Sequence, residues 1–473
     1  MEELSLEIEQ QILGVLQLQK SSVNRLRNSS VSERIEKLKA LRDYVISHED
    51  EICRAMYDDF KKPASEVLIA EIFGIKHEIN HAISSLKSWM APQRTSTPIF
   101  LLGTSSYIQK ESKGLTLIIS PWNYPLNLSI CPLVLAIAAG NAAILKPSEL
   151  TPNVSAFIKK MISSLFDKSE VYVLEGEANV ATFLLQQKFD HIFFTGSPMI
   201  GKKVMEAASK HLTSVTLELG GKSPAIVDET CDLKVAARKI VWGKFFNNGQ
   251  TCIAPDYVIV HETVYLAFLE ALQKAIELSF GELSTIQASK DYCRIVNRKH
   301  FHRIMQLLED ALGKGAKVYF GGETNEVDHY ISPTLITGLS NEMQIMQEEI
   351  FGPILPVLSY QSQEELVDGI LAKEKPLSLY IFSKNKEFEQ YVLAQTSSGT
   401  AVVNDCLIQF GHPSLPFGGV NHSGIGKTTG LYGFLEFSNQ KSVLIQKTNF
   451  LKLIYPPYNL RVKWLIDKMV KWF

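Results

Sequence analysis

The chain has 473 residues, 45% of them hydrophobic and 21% charged, and is longer than one hydrophobic core usually covers, so we expect two or three domains. Its 48 basic and 50 acidic side chains give a formal charge of -2 and are spread along the sequence. This balance argues against nucleic acid as a partner and favours a small-molecule ligand.

The cysteines and the apolar runs indicate the compartment. Six cysteines are scattered along the chain without the spacing of metal ligands, which is typical of reduced thiols in a cytoplasmic protein that holds no metal. Residues 1–20 lack the basic start and the apolar block of a signal peptide. No apolar run is long enough to predict a membrane-spanning helix.

Hydrophobic periodicity predicts helices first and then an alternation of strands and helices. Apolar residues recur at helical spacing from Ser30 to about Met90, where Ser30 and Glu33 match a capping box. The next predicted elements are strands at 115–119, 142–145, 171–174 and 191–194, and helices at 126–139, 151–166, 180–187 and 198–210. A second round has strands at 215–219 and 225–227, a helix at 232–246 and alternating segments to about residue 403. This pattern predicts two α/β domains with mostly parallel sheets, whose ligands bind at the carboxyl ends of the strands.

Polar side chains follow two of these strands. Asn123, in the segment SPWNYP, is either a donor to a developing oxyanion or a turn residue that caps the next helix. Lys146 and Glu149 end the second strand. They suit the hydroxyls of a ribose, with the carboxylate disfavouring a 2′-phosphate, or they form a solvated ion pair.

Glycines and a carboxylate follow at the ends of later strands. Gly196 and Ser197 close the fourth strand and Gly201 lies in the next helix, which is a weak signal for an anion site at a helix N-terminus. Glu218 lies in an apolar strand end before two glycines. Desolvation would raise its pKa toward that of a general base, and the alternative is a buried carboxylate satisfied by backbone amides.

Cys252 differs from the other cysteines in its setting. It ends the segment FNNGQTC, a polar turn whose backbone amides could stabilise a thiolate. Cys53, Cys131 and Cys231 lie in or beside helical or apolar runs, where free cysteine usually serves as a small core residue. Cys252 is therefore a candidate nucleophile, with a structural thiol as the alternative.

Five segments occur together in an order that resembles the aldehyde dehydrogenase superfamily. They are LELGGKSP at 217–224, NNGQTC at 247–252, APDY at 254–257, EEIFGP at 348–353 and PFGGV at 416–420. From about Ser30 to Asn449 the chain is most similar to the class 3 branch, the dimeric fatty and aromatic aldehyde dehydrogenases. The resemblance implies an α/β fold with two doubly wound parallel-sheet domains, one Rossmann-like for the cofactor and one catalytic, plus a small bridging or oligomerisation element.

The resemblance also implies domain limits and a homodimer. The cofactor domain would cover 1–217, with N-terminal helices and a bridging hairpin near 96–114, and the catalytic domain 218–407. Residues 408–450 would return to the cofactor domain and form an oligomerisation arm. A tail at 451–473 would follow.

Functional roles carry over position by position. Cys252 matches the nucleophile, Glu218 the base that activates the deacylating water, and Asn123, with the backbone N–H of Cys252, the oxyanion hole. Asn404 matches an asparagine near the active site. The cofactor positions are Lys146 and Glu149 for the adenosine ribose, Gly196, Ser197 and Gly201 for the pyrophosphate, and Glu349 and Phe351 for the nicotinamide ribose and ring.

The implied reaction is the oxidation of medium- or long-chain aliphatic or aromatic aldehydes to acids with NAD, with NADP tolerated. A thiolate adds to the aldehyde, hydride leaves for the nicotinamide, and a water activated by Glu218 hydrolyses the thioester. A CoA-acylating dehydrogenase is the alternative enzyme, and Glu218 argues against it because that branch generally lacks a carboxylate there. A catalytically idle structural homologue is the second alternative, although every matched catalytic position is intact.

Two departures and the tail bear on substrate and partners. Class 3 members usually carry histidine in place of Gln409 and glycine in place of Asn421, near the substrate entrance or the bridging region, which leaves the reaction class unchanged. Residues 451–473 contain five basic residues, one acid and two tryptophans, which predicts a basic amphipathic helix after Pro456 and Pro457. That helix would pack on the body, cover a subunit's substrate tunnel or contact a membrane surface.

Overall fold

The computed structural model describes residues 4–472 and begins with helices, as the sequence predicts. Ser30 caps the second helix by accepting a hydrogen bond from the backbone N–H of Glu33 at 3.1 Å. A π-helical turn, Leu68–Ile72, joins the fourth helix to the fifth. The helices are α1 (Leu6–Arg27), α2 (Val31–Ser47), α3 (Glu49–Phe60), α4 (Ala64–Val67), α5 (Phe73–Met90), α6 (Asn127–Ala139), α7 (Pro152–Leu165), α8 (Ala178–Leu185), α9 (Pro198–Ser209), α10 (Leu233–Phe245), α11 (Tyr265–Phe280), α12 (Leu283–Ile286), α13 (Arg298–Gly313), α14 (Gln344–Gln347), α15 (Gln363–Leu371), α16 (Lys386–Gln395), α17 (Gly430–Glu436) and α18 (Leu460–Trp472).

Strands alternate with helices after α5, which confirms the α/β fold class. The predicted strand at 115–119 has the same limits in the structure, and the other predicted strands and helices of this region end within two residues of the observed ones. The strands are β1 (Gln93–Thr95), β2 (Thr104–Ser112), β3 (Leu115–Ile119), β4 (Ala142–Lys146), β5 (Val171–Val173), β6 (His191–Gly196), β7 (Ser214–Leu219), β8 (Pro224–Val227), β9 (Tyr257–His261), β10 (Lys317–Phe320), β11 (Thr324–Asn325), β12 (Tyr330–Ile331), β13 (Thr334–Thr337), β14 (Ile354–Tyr360), β15 (Ser378–Phe382), β16 (Thr400–Val403), β17 (Gly424–Ile425) and β18 (Ser438–Gln446).

The first large sheet has the strand order β17-β7-β6-β3-β4-β5. Its strands are parallel except for β17, which pairs antiparallel with β7. The chain runs outward from β3 to β5 and then returns to β6 on the other side of β3, so the sheet is doubly wound. In such a sheet a ligand binds at the carboxyl edge, where the strand order reverses. Lys146 and Gly196 end strands at that edge, and Glu218 is the residue before the last of β7.

The second large sheet has the strand order β10-β13-β14-β9-β8-β15-β16. Only β10 is antiparallel to its neighbour among the strands described. The inner strands β8, β9 and β15 are buried on both faces, and they read as continuous apolar runs for that reason. The short segment 220–223 connects the carboxyl end of β7 in the first sheet to the amino end of β8 in the second, next to Glu218.

A third, three-stranded antiparallel sheet stands apart from both cores. Its order is β1-β2-β18, and it includes the region near 96–114 where the sequence predicts a hairpin. Most side chains of β1 and β18 are exposed, and the nine-residue β18 forms one edge. Farther along, α18 leaves Trp464, Val470 and Trp472 exposed and buries Val462. None of the helices between residues 4 and 472 is long and apolar enough to cross a membrane.

A fully buried ion pair joins the N-terminal helices to the first sheet. Lys62 Nζ lies 2.8 Å from Glu71 Oε1, and neither side chain is exposed. The other oxygen of Glu71 accepts the backbone N–H of Asn127 at 2.7 Å, and Lys62 also donates to the carbonyl of Asn123 at 3.3 Å. The pair therefore fixes the segment between β3 and α6 from the N-terminal side.

Removing the cation should destabilise the whole chain. We expect Lys62→Met to lower the free energy of unfolding by about 3–5 kcal/mol, because Glu71 would remain buried without its partner. Lys61→Met is the matched control, since Lys61 pairs with Asp328 at the surface and such pairs contribute only about 0–1 kcal/mol. Urea and thermal unfolding measure both variants, and equal losses would contradict this account of the buried pair.

Candidate active site

A mainly apolar cavity of about 350 Å³ lies between the N-terminal helices, α6, the first sheet and the turn that carries Cys252. A water molecule in the liquid takes up about 30 Å³, so the cavity accommodates a chain of roughly ten heavy atoms. Cys252 and Glu218 both line it. Its aromatic wall consists of Phe73, Tyr124, Phe193, Trp242, Phe246, Phe410 and Phe417.

The turn before Cys252 places the sulfur in this cavity. Helix α10 ends at Phe245, and Asn247, Asn248 and Gly249 then take left-handed backbone angles, with φ of 53°, 56° and 72°. Asparagine and glycine tolerate this conformation better than other residues, which explains the segment NNG. The sulfur receives the backbone N–H groups of Cys252 and Ile253. Burial nevertheless raises the pKa of the thiol, and the nearby Glu349 and Glu218 raise it further.

Glu218 faces the same cavity with an unsatisfied carboxyl group. The residue is buried, and neither carboxyl oxygen has a hydrogen-bond partner among residues 4–472, so backbone amides of this part of the chain do not satisfy it. Burial raises the pKa of Glu218 well above its usual range, Lys427 opposes that effect and Glu436 adds to it. A carboxyl group in this state accepts a proton near neutral pH far more readily than an exposed glutamate does.

Asn123 lies next to the Cys252 turn. Its Nδ2 donates to the carbonyl of Gln250 at 2.9 Å, and its own carbonyl accepts Asn247 Nδ2 at 2.9 Å. Asn123 does not cap α6, since Leu126 occupies the N-cap position and makes no side-chain cap. An amide nitrogen carries two hydrogens, so one remains for a ligand oxygen.

Three residues that the sequence patterns do not single out hold this arrangement from the N-terminal side. Lys62 and Glu71 bind the Asn123 segment, and Glu66 accepts the backbone N–H of Asn247 at 2.9 Å. Burial raises the pKa of Glu66 to about 7. One signal was available: Glu71 lies four residues from Val67 and from Ile75 on the apolar stripe of the helices, where a charged residue requires a buried partner.

Lys146 and Glu149 form a hydrogen-bonded pair at the end of β4. Lys146 Nζ donates to Glu149 Oε2 at 3.0 Å and to the carbonyl of Pro147 at 2.8 Å. Lys146 is buried, whereas the Glu149 side chain is 39% exposed. The pair is therefore not a solvated surface pair, and the carboxylate is accessible to a ligand.

The turn from β6 to α9 presents a helix N-terminus at the same edge of the sheet. Ser197 caps α9 by accepting the backbone N–H of Ile200 at 3.5 Å. Gly201 lies in the first turns, where an added Cβ would be 2.8 Å from Leu219 Cδ2 and would push α9 away from β7. The twelve-residue α9 thus begins close to the strand ends, with backbone N–H groups available for an anion.

Glu349 and Phe351 lie on a loop that is anchored to the connection between the two sheets. Glu349 contacts Gly220 and accepts a hydrogen bond from Gly221, and burial, with Asp256 adding to it, raises the pKa of Glu349 to about 8. The Phe351 ring lies edge-on to Trp122 with centroids 5.4 Å apart. Lys222 donates to Asp256 and to the carbonyls of Ile345 and Glu348 at 2.7 and 2.8 Å, which fixes the loop.

The polar groups at the strand ends, on the Glu349 loop and at the start of α9 fit a nicotinamide dinucleotide. An exposed carboxylate at a strand end suits ribose hydroxyls, and the amino end of α9 suits a pyrophosphate. The Gly220–Gly221 turn carries no side chain, and a Cβ on Gly220 would overlap the Glu349 carboxylate. The structure thus supplies the kinds of groups that such a cofactor needs.

Three other residues singled out by the sequence lie outside the cavity wall. Asn404 uses both amide atoms on the backbone of Ser383, at 2.8 and 3.0 Å. Gln409 is buried and donates to Ser378 Oγ and Tyr380 OH at 2.9 and 3.1 Å. Asn421 has a φ of 54°, a conformation in which glycine is the usual residue and asparagine is tolerated. Neither departure from class 3 thus lines the cavity.

The family model described as "Aldehyde dehydrogenase family" matches residues 9–443. The chain is 45% identical over 447 residues to 4,4'-diaponeurosporen-aldehyde dehydrogenase of Staphylococcus aureus, covering 94% of this chain and 96% of that protein. It is 42% identical over 451 residues to aldehyde dehydrogenase family 3 member A2 of Rattus norvegicus, and the match covers 94% of this chain and 92% of that protein. A dimeric NADP-preferring aldehyde dehydrogenase of Canis lupus familiaris is 40% identical, and the match covers 94% of this chain and 98% of that protein.

Solved structures agree with these relatives. The substrate-bound state of Staphylococcus aureus AldH superposes with a TM-score of 0.92 at 44% identity, covering 97% of this chain and 99% of that one. An NAD+ complex of an aldehyde dehydrogenase from Bacillus cereus superposes with a TM-score of 0.85 at 27% identity, and the match covers 93% of this chain and 89% of that one.

Proposed function

The chain belongs to the aldehyde dehydrogenase family, in a class 3-like branch, and from that premise we propose that it oxidises long aliphatic or aromatic aldehydes through a thioester on Cys252. The observation that carries the proposal is the shared cavity, where a thiol and an unsatisfied carboxyl group face one mainly apolar space. An apolar wall of this size suits a hydrocarbon or aromatic chain and leaves the polar groups for the aldehyde.

Cys252 and Asn123 carry the first half of the reaction. The sulfur attacks the aldehyde carbon, and the resulting oxyanion receives the second N–H of Asn123 Nδ2 and the backbone N–H of Cys252. NAD or NADP, the cofactors of this family, supplies the hydride acceptor when bound. The pKa of the Cys252 thiol is raised, so the thiol passes its proton to water as it adds to the carbonyl carbon, and the backbone N–H groups of Cys252 and Ile253 offset the cost of forming the thiolate.

Glu218 carries the second half. Its carboxylate takes a proton from water, and the hydroxide attacks the thioester carbonyl, which releases the acid and returns the sulfur. A CoA-acylating enzyme does not need a base at this position, and no feature of the chain favours that alternative.

Cofactor binding is proposed at the carboxyl edge of the first sheet. Lys146 and Glu149 would bind the adenosine ribose, Gly196, Ser197 and Gly201 the pyrophosphate, and Glu349 and Phe351 the nicotinamide ribose and ring. The supporting geometry is the accessible Glu149 carboxylate and the amino end of α9. Asn404 would support the site through its bonds to Ser383.

The proposed domains correspond to the two large sheets, with the limit between residues 217 and 218 falling inside β7. Residues 1–217 would form the cofactor domain, 218–407 the catalytic domain, and 408–450 the return to the cofactor domain with an oligomerisation arm. We further propose a cytoplasmic homodimer: the six cysteines are free thiols, the exposed edge strand β18 offers a pairing surface, and one relative is named as dimeric. The described part of the tail, residues 451–472, does not line the cavity of its own chain, and we propose that α18 covers a partner subunit's cavity.

The first prediction separates the two half-reactions. Cys252→Ser should show almost no cofactor reduction, because a serine hydroxyl here lacks a base strong enough to make it a comparable nucleophile. Glu218→Gln should give a rapid burst near one reduced cofactor per active site and then turn over about 10²–10⁴-fold more slowly than the unaltered enzyme. Stopped-flow absorbance of the reduced cofactor measures both. An active Cys252→Ser enzyme, or a near-normal steady state in Glu218→Gln, would place the chemistry elsewhere.

The second prediction concerns cofactor choice. Glu149→Gln should improve the use of NADP relative to NAD, because it removes a carboxylate that repels a 2′-phosphate and accepts the ribose hydroxyls. The ratio of kcat/KM for the two cofactors measures the change, and Glu175→Gln serves as the control because Glu175 pairs with Lys159 at the surface. An unchanged ratio in Glu149→Gln would remove this residue from the cofactor site.

The third prediction concerns the tail. Deleting 460–473 should change KM for long aldehydes more than for short ones, because the exposed tryptophans and valine of α18 would no longer cover apolar surface at a cavity. A chain-length series of aldehydes, with light scattering for the oligomeric state and sedimentation with anionic vesicles, measures the effect. An unchanged chain-length profile would exclude the gating role, and loss of vesicle binding alone would assign the helix to a membrane surface instead.

A further inference from the structure

The carboxyl group of Glu218 faces two opposite charges behind the cavity wall. Lys427 follows β17 and is half-buried, and Glu436 ends α17. The thiol of Cys252 faces Glu218 across the cavity. Strand β6, the other neighbour of β7, places Thr195 opposite Glu218, and threonine does not titrate.

Lys427 is held beside Glu218 by the backbone. Its Nζ donates to the carbonyls of Gly418 and Gly419 at 2.6 and 3.1 Å. A Cβ on Gly418 would lie 2.9 Å from Glu218 Oε1 and 3.0 Å from Lys427 Cδ, so only this glycine separates the two side chains. Gly418 also has a φ of 147°, a backbone angle that residues with a side chain rarely adopt. The approach therefore depends on glycine at this position.

Glu436 is held by hydrogen bonds from Lys427 and from β7. Its Oε1 accepts the backbone N–H of Lys427 at 3.3 Å, and its Oε2 accepts Thr216 Oγ1 at 2.7 Å. Thr216 lies two residues before Glu218 on β7, so both side chains point to the same face of the strand. The two charges thus have fixed positions relative to the carboxyl group.

We propose that Lys427 and Glu436 are positioning residues for thioester hydrolysis: the ammonium group favours the ionised form of Glu218, the carboxylate disfavours it, and together they set the pH at which deacylation occurs. This rests on the proposed role of Glu218 as the base. The two residues do not affect hydride transfer, which depends on Cys252. They act on the second half-reaction, the hydrolysis of the thioester.

The charges act in the directions that this requires. Burial is the largest cause of the raised pKa of Glu218, Lys427 lowers that pKa and Glu436 raises it. The same contacts act in return on Lys427, whose pKa is lowered by burial and raised by Glu218 and Glu436. Since Lys427 is accessible to solvent on one side, screening makes its effect moderate.

Opposite shifts in two variants test the proposal. Lys427→Met should move the acidic limb of the pH profile of the post-burst rate to higher pH and lower that rate near pH 7 about three- to tenfold. Glu436→Gln should move the limb to lower pH, and Lys427→Arg should restore the original profile. The burst amplitude should stay near one per site in all three. Lys375→Met is the control, because Lys375 is exposed and binds Asn421 on the same hairpin.

The outcomes separate this proposal from the proposed function. If both variants lose rate equally at every pH, or if neither limb moves, the pair has only a structural role and the proposal is overturned. If Glu218→Gln itself shows normal turnover, the assignment of the base fails first. Opposite displacements with an unchanged burst support the proposal, because a general disturbance of packing would not move the two limbs in opposite directions.

Discussion

The buried ion pair of Lys62 and Glu71 is the interaction on which the site depends. It connects helices at the start of the chain to the segment that carries Asn123, and Asn123 in turn binds the carbonyl of Gln250 in the turn before Cys252. An isolated charge in this position would be very costly, so each member requires the other. Asn123, the proposed oxyanion donor, and Cys252, the proposed nucleophile, therefore keep their relative positions only while the N-terminal helices are docked.

A second constraint is the burial of two titratable groups beside one apolar space. The pKa values of Cys252 and Glu218 are both raised, so the resting site avoids negative charge. Creating a thiolate or a carboxylate there costs about 1.4 kcal/mol for each pKa unit above the working pH. The groups that offset this cost are the turn amides at the sulfur and the ammonium of Lys427 near the carboxylate. The amides belong to the backbone of the turn itself, whereas the ammonium belongs to a side chain that is distant from Glu218 in the sequence.

The sequence predicts the strand ends well and the supporting contacts poorly. The strand–helix alternation, the position of Glu218 near the end of β7 and the polar turn before Cys252 are local patterns, so periodicity and glycine spacing reveal them. Lys62 and Glu71 are only nine residues apart, but the groups they hold, Asn123 and Asn127, lie 61 and 56 residues away. Lys427 likewise acts on Glu218, which lies in a different part of the sequence. The tail shows the same limit, because periodicity predicts the helix α18 and does not identify the surface that the helix contacts.

The asymmetry between the two halves of the reaction follows from where each group is supported. Asn123 and Cys252 are held by residues from the N-terminal helices and the α10 turn, whereas Glu218 is flanked by residues 418–436, beyond the second sheet. A change in the late segment therefore alters the environment of the carboxyl group and leaves the bonds around the sulfur intact. Because each half-reaction has its own support, the balance between hydride transfer and hydrolysis can shift through substitutions that touch neither Cys252 nor Glu218.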